Sequence, residues 1–169
     1  MKTIYKLIGS AIALIGLTTG ANAQSTATAS TTAILVTPIS IAKTTDMHFG
    51  TVAASGTAGT VLLDYADGRT ATGGASLPSG STLQKTAVFT VTGEGTSGFS
   101  ISIPSSPITL VSGGNSMTVG TFVDDLGASS SLVAGSKTIK VKATLNVGVG
   151  QAAGTYVNAS DLFVTVNYN

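Results

Sequence analysis

The closing stretch of the chain constrains everything before it. Leu162, Val164, Val166 and Tyr168 alternate with Phe163, Thr165 and Asn167. A period of two in β-branched and aromatic residues predicts a β-strand. Only Asn169 follows Tyr168, so the expectation is that no later strand or capping helix covers it. A strand pairs on both edges or exposes a row of N–H and C=O groups. One partner is expected from its own sheet. The source of the second is the functional question the sequence raises.

The other end reads as an export signal over residues 1–23. Lys2 and Lys6 precede an apolar run from Leu7 to Leu17, and Ala21-Asn22-Ala23 has the small-x-small pattern of a cleavage site. The run is too short to span a bilayer, so the mature chain is expected to start at Gln24 and to be exported without a membrane span. Two of the eight basic residues leave with the signal, and all seven acidic ones stay. A nearly neutral mature chain has no electrostatic footprint for nucleic acid or an anionic membrane.

The chain has no cysteine, so disulfide staples and thiol chemistry are excluded. Stability has to come from packing and backbone pairing. Small and hydroxylated residues dominate, and apolar residues alternate through them, as in many short strands joined by polar turns. The segments that read as strands are 39–43, 47–52, 60–65, 86–92, 99–103, 108–111, 117–123, 138–149 and 162–168. The longest of them places Ile139, Val141, Ala143, Leu145, Val147 and Val149 on one face and Lys140, Lys142, Thr144 and Asn146 on the other. Pro38 divides 33–37 from 39–43, since proline donates no ladder bond. Loops are expected over 68–83 and 124–135. No helical period of useful length follows the signal.

Residues 24–36 form an uncharged leading segment. In an extended chain Ala27, Ala29, Thr31, Ala33 and Leu35 share one face. Such a segment is either a flexible tail or a strand that another molecule's sheet edge can accept.

The equipment for catalysis is thin, and the expectation is that the chain is not an enzyme. His48 is the only histidine, and without cysteine it cannot join a His/Cys metal set. Asp64 and Asp67-Gly68 lack the repeating acids of a calcium loop. No serine sits in Gly-x-Ser-x-Gly. The glycine pairs do not open a helix as a phosphate loop would. Asn158-Ala159-Ser160 is a glycosylation sequon of little specificity. No catalytic, cofactor or metal residue is assigned.

Several stretches resemble a family of secreted bacterial domains of unknown function. They are Thr37-Pro38-Ile39-Ser40-Ile41, Asp46-Met47-His48-Phe49-Gly50-Thr51-Val52, Arg69-Thr70-Ala71-Thr72-Gly73-Gly74 and Val88-Phe89-Thr90-Val91-Thr92-Gly93-Glu94. Gly113-Gly114-Asn115-Ser116-Met117-Thr118-Val119, Ala143-Thr144-Leu145-Asn146-Val147, Gln151-Ala152-Ala153-Gly154-Thr155-Tyr156 and Val164-Thr165-Val166-Asn167-Tyr168 complete the set. That family in turn is similar to spore-coat-U and chaperone–usher pilin subunits, through the early Phe-Gly step, the late Ala-Gly-Thr-Tyr and the penultimate tyrosine. The chain departs from many of these subunits in having no disulfide, and Gly154 lies farther from the end than their late glycine.

The residues and the resemblance together set the expectations. The fold is an all-β, immunoglobulin-like antiparallel β-sandwich over 37–169. The resemblance implies that it lacks its last strand and that the partners are copies of itself or related subunits, a periplasmic chaperone and an outer-membrane usher. Residues 24–36, through Ala27, Ala29, Thr31, Ala33 and Leu35, would be the donor strand. Leu162, Val164, Val166 and Tyr168 would border the groove that receives it. The competing expectation is a self-complete exported domain that binds a glycan or a protein through the loops at 68–83 and 124–135.

Overall fold

The computed structural model describes residues 24–127, 130–159 and 161–169, so the expected signal over 1–23 lies outside the described residues. The chain divides into two compact units, Met1–Ile34 and Leu35–Asn169. In the first, residues 24–34 carry neither helix nor strand, and their side chains are exposed.

The second unit is all-β and antiparallel, with no helix among the described residues. Its strands are β1 (Ser40–Thr45), β2 (Ala53–Leu63), β3 (Arg69–Ser76), β4 (Ala87–Thr92), β5 (Phe99–Ser102), β6 (Ile108–Ser112), β7 (Asn115–Asp124), β8 (Ser136–Val147) and β9 (Thr165–Tyr168). Seven of them form one sheet, and β5 with β9 forms a second.

β8 is the spine. Its first half pairs with β4, from Ser136 opposite Thr92 to Val141 opposite Ala87. Its second half pairs with β2, from Ala143 opposite Leu63 to Val147 opposite Gly59. β7 pairs with it from Asp124 opposite Val141 to Thr118 opposite Asn146. The alternation read from the sequence gives this strand its faces. Ile139, Val141, Ala143, Leu145 and Val147 are buried, while Lys140, Lys142, Thr144 and Asn146 are not. Burying an isoleucine or valine fully contributes roughly 1.5–3 kcal/mol. The same core takes in Val61, Leu63, Phe89, Val91 and Val119 from the large sheet and Phe99 from the small one.

A bulge tunes one face of this core. The register of β7 on β8 shifts between Gly120 and Val123, where Thr121 has φ 54°. Val119 and Phe122 are both buried, although strict alternation would put them on opposite faces. The extra residue re-aims Phe122 inward, as bulges do. The β6–β7 hairpin turns through Gly113-Gly114, with Ser112 opposite Asn115 and Gly113 at φ 59°. That positive φ suits glycine in a two-residue turn.

The structure corrects several boundaries. Residues 33–37 form no strand, and β1 begins after Pro38, at Ser40. Residues 47–52 form only an isolated bridge at His48, opposite Lys85. Side chains there take the backbone groups a ladder would use. The Arg69 guanidinium donates to the carbonyls of Phe49 (2.7 Å) and Thr51 (2.8 Å), and Ser81 Oγ accepts the Thr51 N–H (3.0 Å). The expected loop at 68–83 contains β3, built on Gly73 and Gly74, which lack the β-propensity that betrays a strand. Those glycines are needed because a side chain at Gly74 would strike the Thr57 carbonyl across the hairpin. The expected loop at 124–135 buries Leu132, which is 1% exposed, beside Val133 at 69%.

Leu132→Ala is therefore expected to cost about 2–5 kcal/mol of unfolding free energy, the usual range for a buried leucine. Val133→Ala should stay within about 0.5 kcal/mol. Urea unfolding of the two variants checks this.

Candidate functional site: the closing strand and its clamp

The regular strand at the end of the chain is shorter than the alternation suggested, Thr165–Tyr168, and its alternate residues differ in exposure. Val164 is buried, and Leu162, Val166 and Tyr168 pack against the core. Phe163 on the opposite parity is 64% exposed. All four residues expected to border a groove therefore lie on the core face.

Among the described residues, β9 pairs with β5 alone, and β1 pairs with β4 alone. The hydrogen-bond parity of β9 follows from its partner. The Phe99 N–H donates to the Ser130 carbonyl, away from β9. Phe99 opposite Tyr168 is then a pair without ladder bonds. By alternation Ser100 opposite Asn167 and Ser102 opposite Thr165 carry the bonds. The Asn169 N–H, which donates to the Gly98 carbonyl at 3.2 Å, fits that parity. The N–H and C=O of Val166 and Tyr168 consequently point to the second edge of β9, which has no strand partner among the described residues.

The Tyr168 phenol closes a ring of hydrogen bonds at the end of that edge. It donates to the Thr37 carbonyl (2.7 Å) and accepts the Glu94 N–H (2.6 Å). Glu94 Oε2 in turn accepts the Thr37 N–H at 3.0 Å. Two residues far from it in sequence, Tyr168 and Glu94, thus hold both the C=O and the N–H of Thr37. The phenol lies so close over Gly93 that a side chain there would collide with it and approach Leu132 Cδ1 at 3.0 Å. The Thr37 N–H on its carboxylate holds Glu94 below the usual carboxylate range.

The clamp is only partly legible in the sequence. Tyr168 stands out as the penultimate aromatic of a strand, but nothing in Thr37, Gly93 or Glu94 announces a shared bond. The signal that could have found Gly93 is a glycine directly after a strong strand.

The expected donor residues Ala27, Ala29, Thr31, Ala33 and Leu35 are all exposed and outside any strand, with Leu35 at 100%. His48 is exposed, and its Nδ1 accepts the Gly50 N–H at 2.8 Å. This supports the sharp bend at Gly50, whose φ is +70°. Asp67 carries Lys85 Nζ and the Thr86 N–H (2.8 and 2.7 Å), which hold its carboxyl low. Its neighbour Asp64 caps the Ala66 and Gly68 N–H groups, both at 2.8 Å. These acids are turn-formers. Among the described residues no group of three or more His, Cys, Asp or Glu side chains could hold a metal ion. No helix there is long and apolar enough to cross a membrane.

A second surface lies on the outer face of the large sheet. Thr72, Thr60, Asn146 and Thr118 stand opposite one another across β3, β2, β8 and β7. They line an open groove of about 560 Å³. The Thr60 and Thr72 hydroxyls are bonded at 2.7 Å, and Asn146 Nδ2 donates to Thr118 Oγ1 at 3.1 Å. The groove is uncharged, and beside these hydroxyls and the amides of Asn146 and Gln151 its lining includes Ala58, Met117 and Val147, so most of its exposed surface is apolar.

Residues 39–168 match the family model described as a domain of unknown function, DUF4402, and the chain belongs to that family. No curated protein and no solved structure matches it.

The clamp gives the protein an acid-sensitive contribution to stability. A carboxyl whose folded pKa is lowered stabilises the fold above its unfolded pKa and loses that contribution as pH falls through the folded value. Urea midpoints should therefore fall between pH 5 and the acid limit more steeply in the wild type than in Glu94→Gln. Gly93→Ala should lower the midpoint at every pH, because the clash with the phenol does not titrate.

Proposed function

We propose that this DUF4402 member is a structural, non-enzymatic subunit of a bacterial surface fibre. In this reading its sheets make an immunoglobulin-like sandwich of the spore-coat-U and pilin kind, one strand short. The leading segment of one copy completes the edge of the next. Exported by a cleaved signal, the chain would pass through the periplasm with a chaperone covering the edge, and an outer-membrane usher would order its assembly at the cell surface.

The observation that carries the reading is the second edge of β9. It presents the N–H and C=O groups of Val166 and Tyr168 without a strand partner among the described residues, on a strand whose alternate side chains pack against the core. An extended segment that pairs there gains main-chain bonds along the edge, and alternate side chains give it register. Residues 24–36 have the right character for such a segment: no charge, no proline and no glycine. Alanines bury little area, so Ala27, Ala29 and Ala33 contribute less than Leu35, for which full burial is worth about 1.5–3 kcal/mol.

A second reading draws support from the open, uncharged groove at Thr60, Thr72, Thr118 and Asn146. A self-complete exported domain could hold a neutral, hydroxyl-rich ligand such as a glycan there. The contact would be on a sheet face, since residues 69–76 of the expected binding loop are a strand.

Size-exclusion chromatography and negative-stain microscopy separate the two readings. The mature chain is expected to form linear polymers, and the chain lacking residues 24–36 should remain monomeric with its edge open. Stable monomers of the mature chain at all concentrations, with one cooperative melt, would remove the fibre reading.

A further inference from the structure

The turn between β2 and β3 holds the chain's single Asp-Gly pair, Asp67-Gly68. Asp-Gly is the dipeptide most open to self-modification, because glycine has no Cβ to shield its nitrogen. The Gly68 nitrogen can attack Asp67 Cγ. The N–H proton and the side-chain hydroxyl of the carboxylic acid leave as water, and a five-membered succinimide closes. Water then adds back at either carbonyl. One addition restores aspartate, and the other leaves isoaspartate, whose main chain runs through Cβ. The extra backbone atom would fall just ahead of Arg69, the first residue of β3, whose guanidinium holds the Phe49 and Thr51 carbonyls.

We propose that Asp67-Gly68 is a latent isomerisation site that Asp64 and Lys85 keep closed in the folded protein. Asp64 holds the nucleophile. Its Oδ1 accepts the Gly68 N–H at 2.8 Å, and its own N–H donates to the Gly68 carbonyl at 2.9 Å. The electrophile is held by different partners. Asp67 Oδ2 accepts Lys85 Nζ at 2.8 Å, and Oδ1 accepts the Thr86 N–H at 2.7 Å. Lys85 in turn is fixed by its backbone bridge to His48. The protonated acid is the form that loses its hydroxyl, and the bond from Lys85, followed by that from Thr86, keeps the carboxyl ionised to lower pH. Asp64 also explains the glycine. A Cβ at position 68 would lie 2.5 Å from Asp64 Oδ2, so the residue that makes the pair reactive is the one that the lock needs. Isomerisation must then pass through a local opening of the turn, and its rate follows how often that opening occurs. The site is independent of which function the domain has.

The test ages the mature chain in warm, mildly acidic buffer and maps isoaspartate in the tryptic peptide that ends at Arg69. The folded wild type should accumulate it far more slowly than the same chain in urea, where Asp67 should be the main site. Asp64→Ala should isomerise about tenfold faster than the wild type while still folded, the scale of one hydrogen bond to a charged group. Asp64→Asn, which keeps an acceptor for the Gly68 N–H, should stay close to the wild type. Lys85→Met, a change at an exposed side chain, should also speed the reaction, and it carries the comparison if Asp64→Ala does not fold. Urea midpoints show which variants are folded. Folded and unfolded wild type reacting at the same rate would overturn the lock. So would folded Asp64→Ala and Lys85→Met chains that react no faster than the wild type. No isoaspartate at Asp67 in the unfolded chain would overturn the site itself.

Discussion

The fold depends on one backbone ladder, that of β8. Twelve residues serve three neighbours, β4 and β2 in succession along one edge and β7 on the other edge of its second half. Each neighbour then carries one more strand: β1 on β4, β3 on β2 and β6 on β7. The seven-stranded sheet is therefore a branched structure with a single trunk. Its inner face holds because the trunk is apolar at every second residue, and its outer face stays wet because lysines, threonine and asparagine fill the alternate positions. With no disulfide available, nothing covalent replaces these pairings.

The small sheet has a different character. β9 has four residues and one partner strand. What anchors its far end is a side chain, the Tyr168 phenol, held by Glu94 and Thr37. A hydroxyl that both donates and accepts can close such a ring where a phenylalanine could only pack. The ring also explains the glycine beneath it. The site is thus made by four residues with different duties: Gly93 gives room, Tyr168 bridges, Glu94 accepts, and Thr37 is held by its backbone.

How much of this could be read from the residues varies with the physics involved. Long-period alternation was decisive for β8 and for the face of the closing strand, since burial on one side leaves a clear pattern. It failed at β3, where Gly73 and Gly74 exist to let two backbones approach and carry no hydrophobic signature. It also failed at 47–52, whose apolar pattern is real but whose backbone groups are taken by Arg69 and Ser81. Leu132 was hidden in a loop of serines and glycines, because one buried residue has no period. The clamp was invisible as a unit, since it joins positions 37, 94 and 168, and no local pattern links them. Tyr168 alone was visible, by its place.

The branched sheet has a consequence for the order in which the molecule can form. Ribosomes deliver β8 only after the first seven strands, and without it the large sheet is three unconnected pairs: β1 with β4, β2 with β3 and β6 with β7. Each pair is a two-stranded ribbon, marginal by itself in water. Pairings this distant along the chain also cost loop-closure entropy before they return anything, which makes assembly slow. The large sheet can therefore join up only once residue 147 has emerged, and the small sheet waits longer still, for β9 at Thr165–Tyr168.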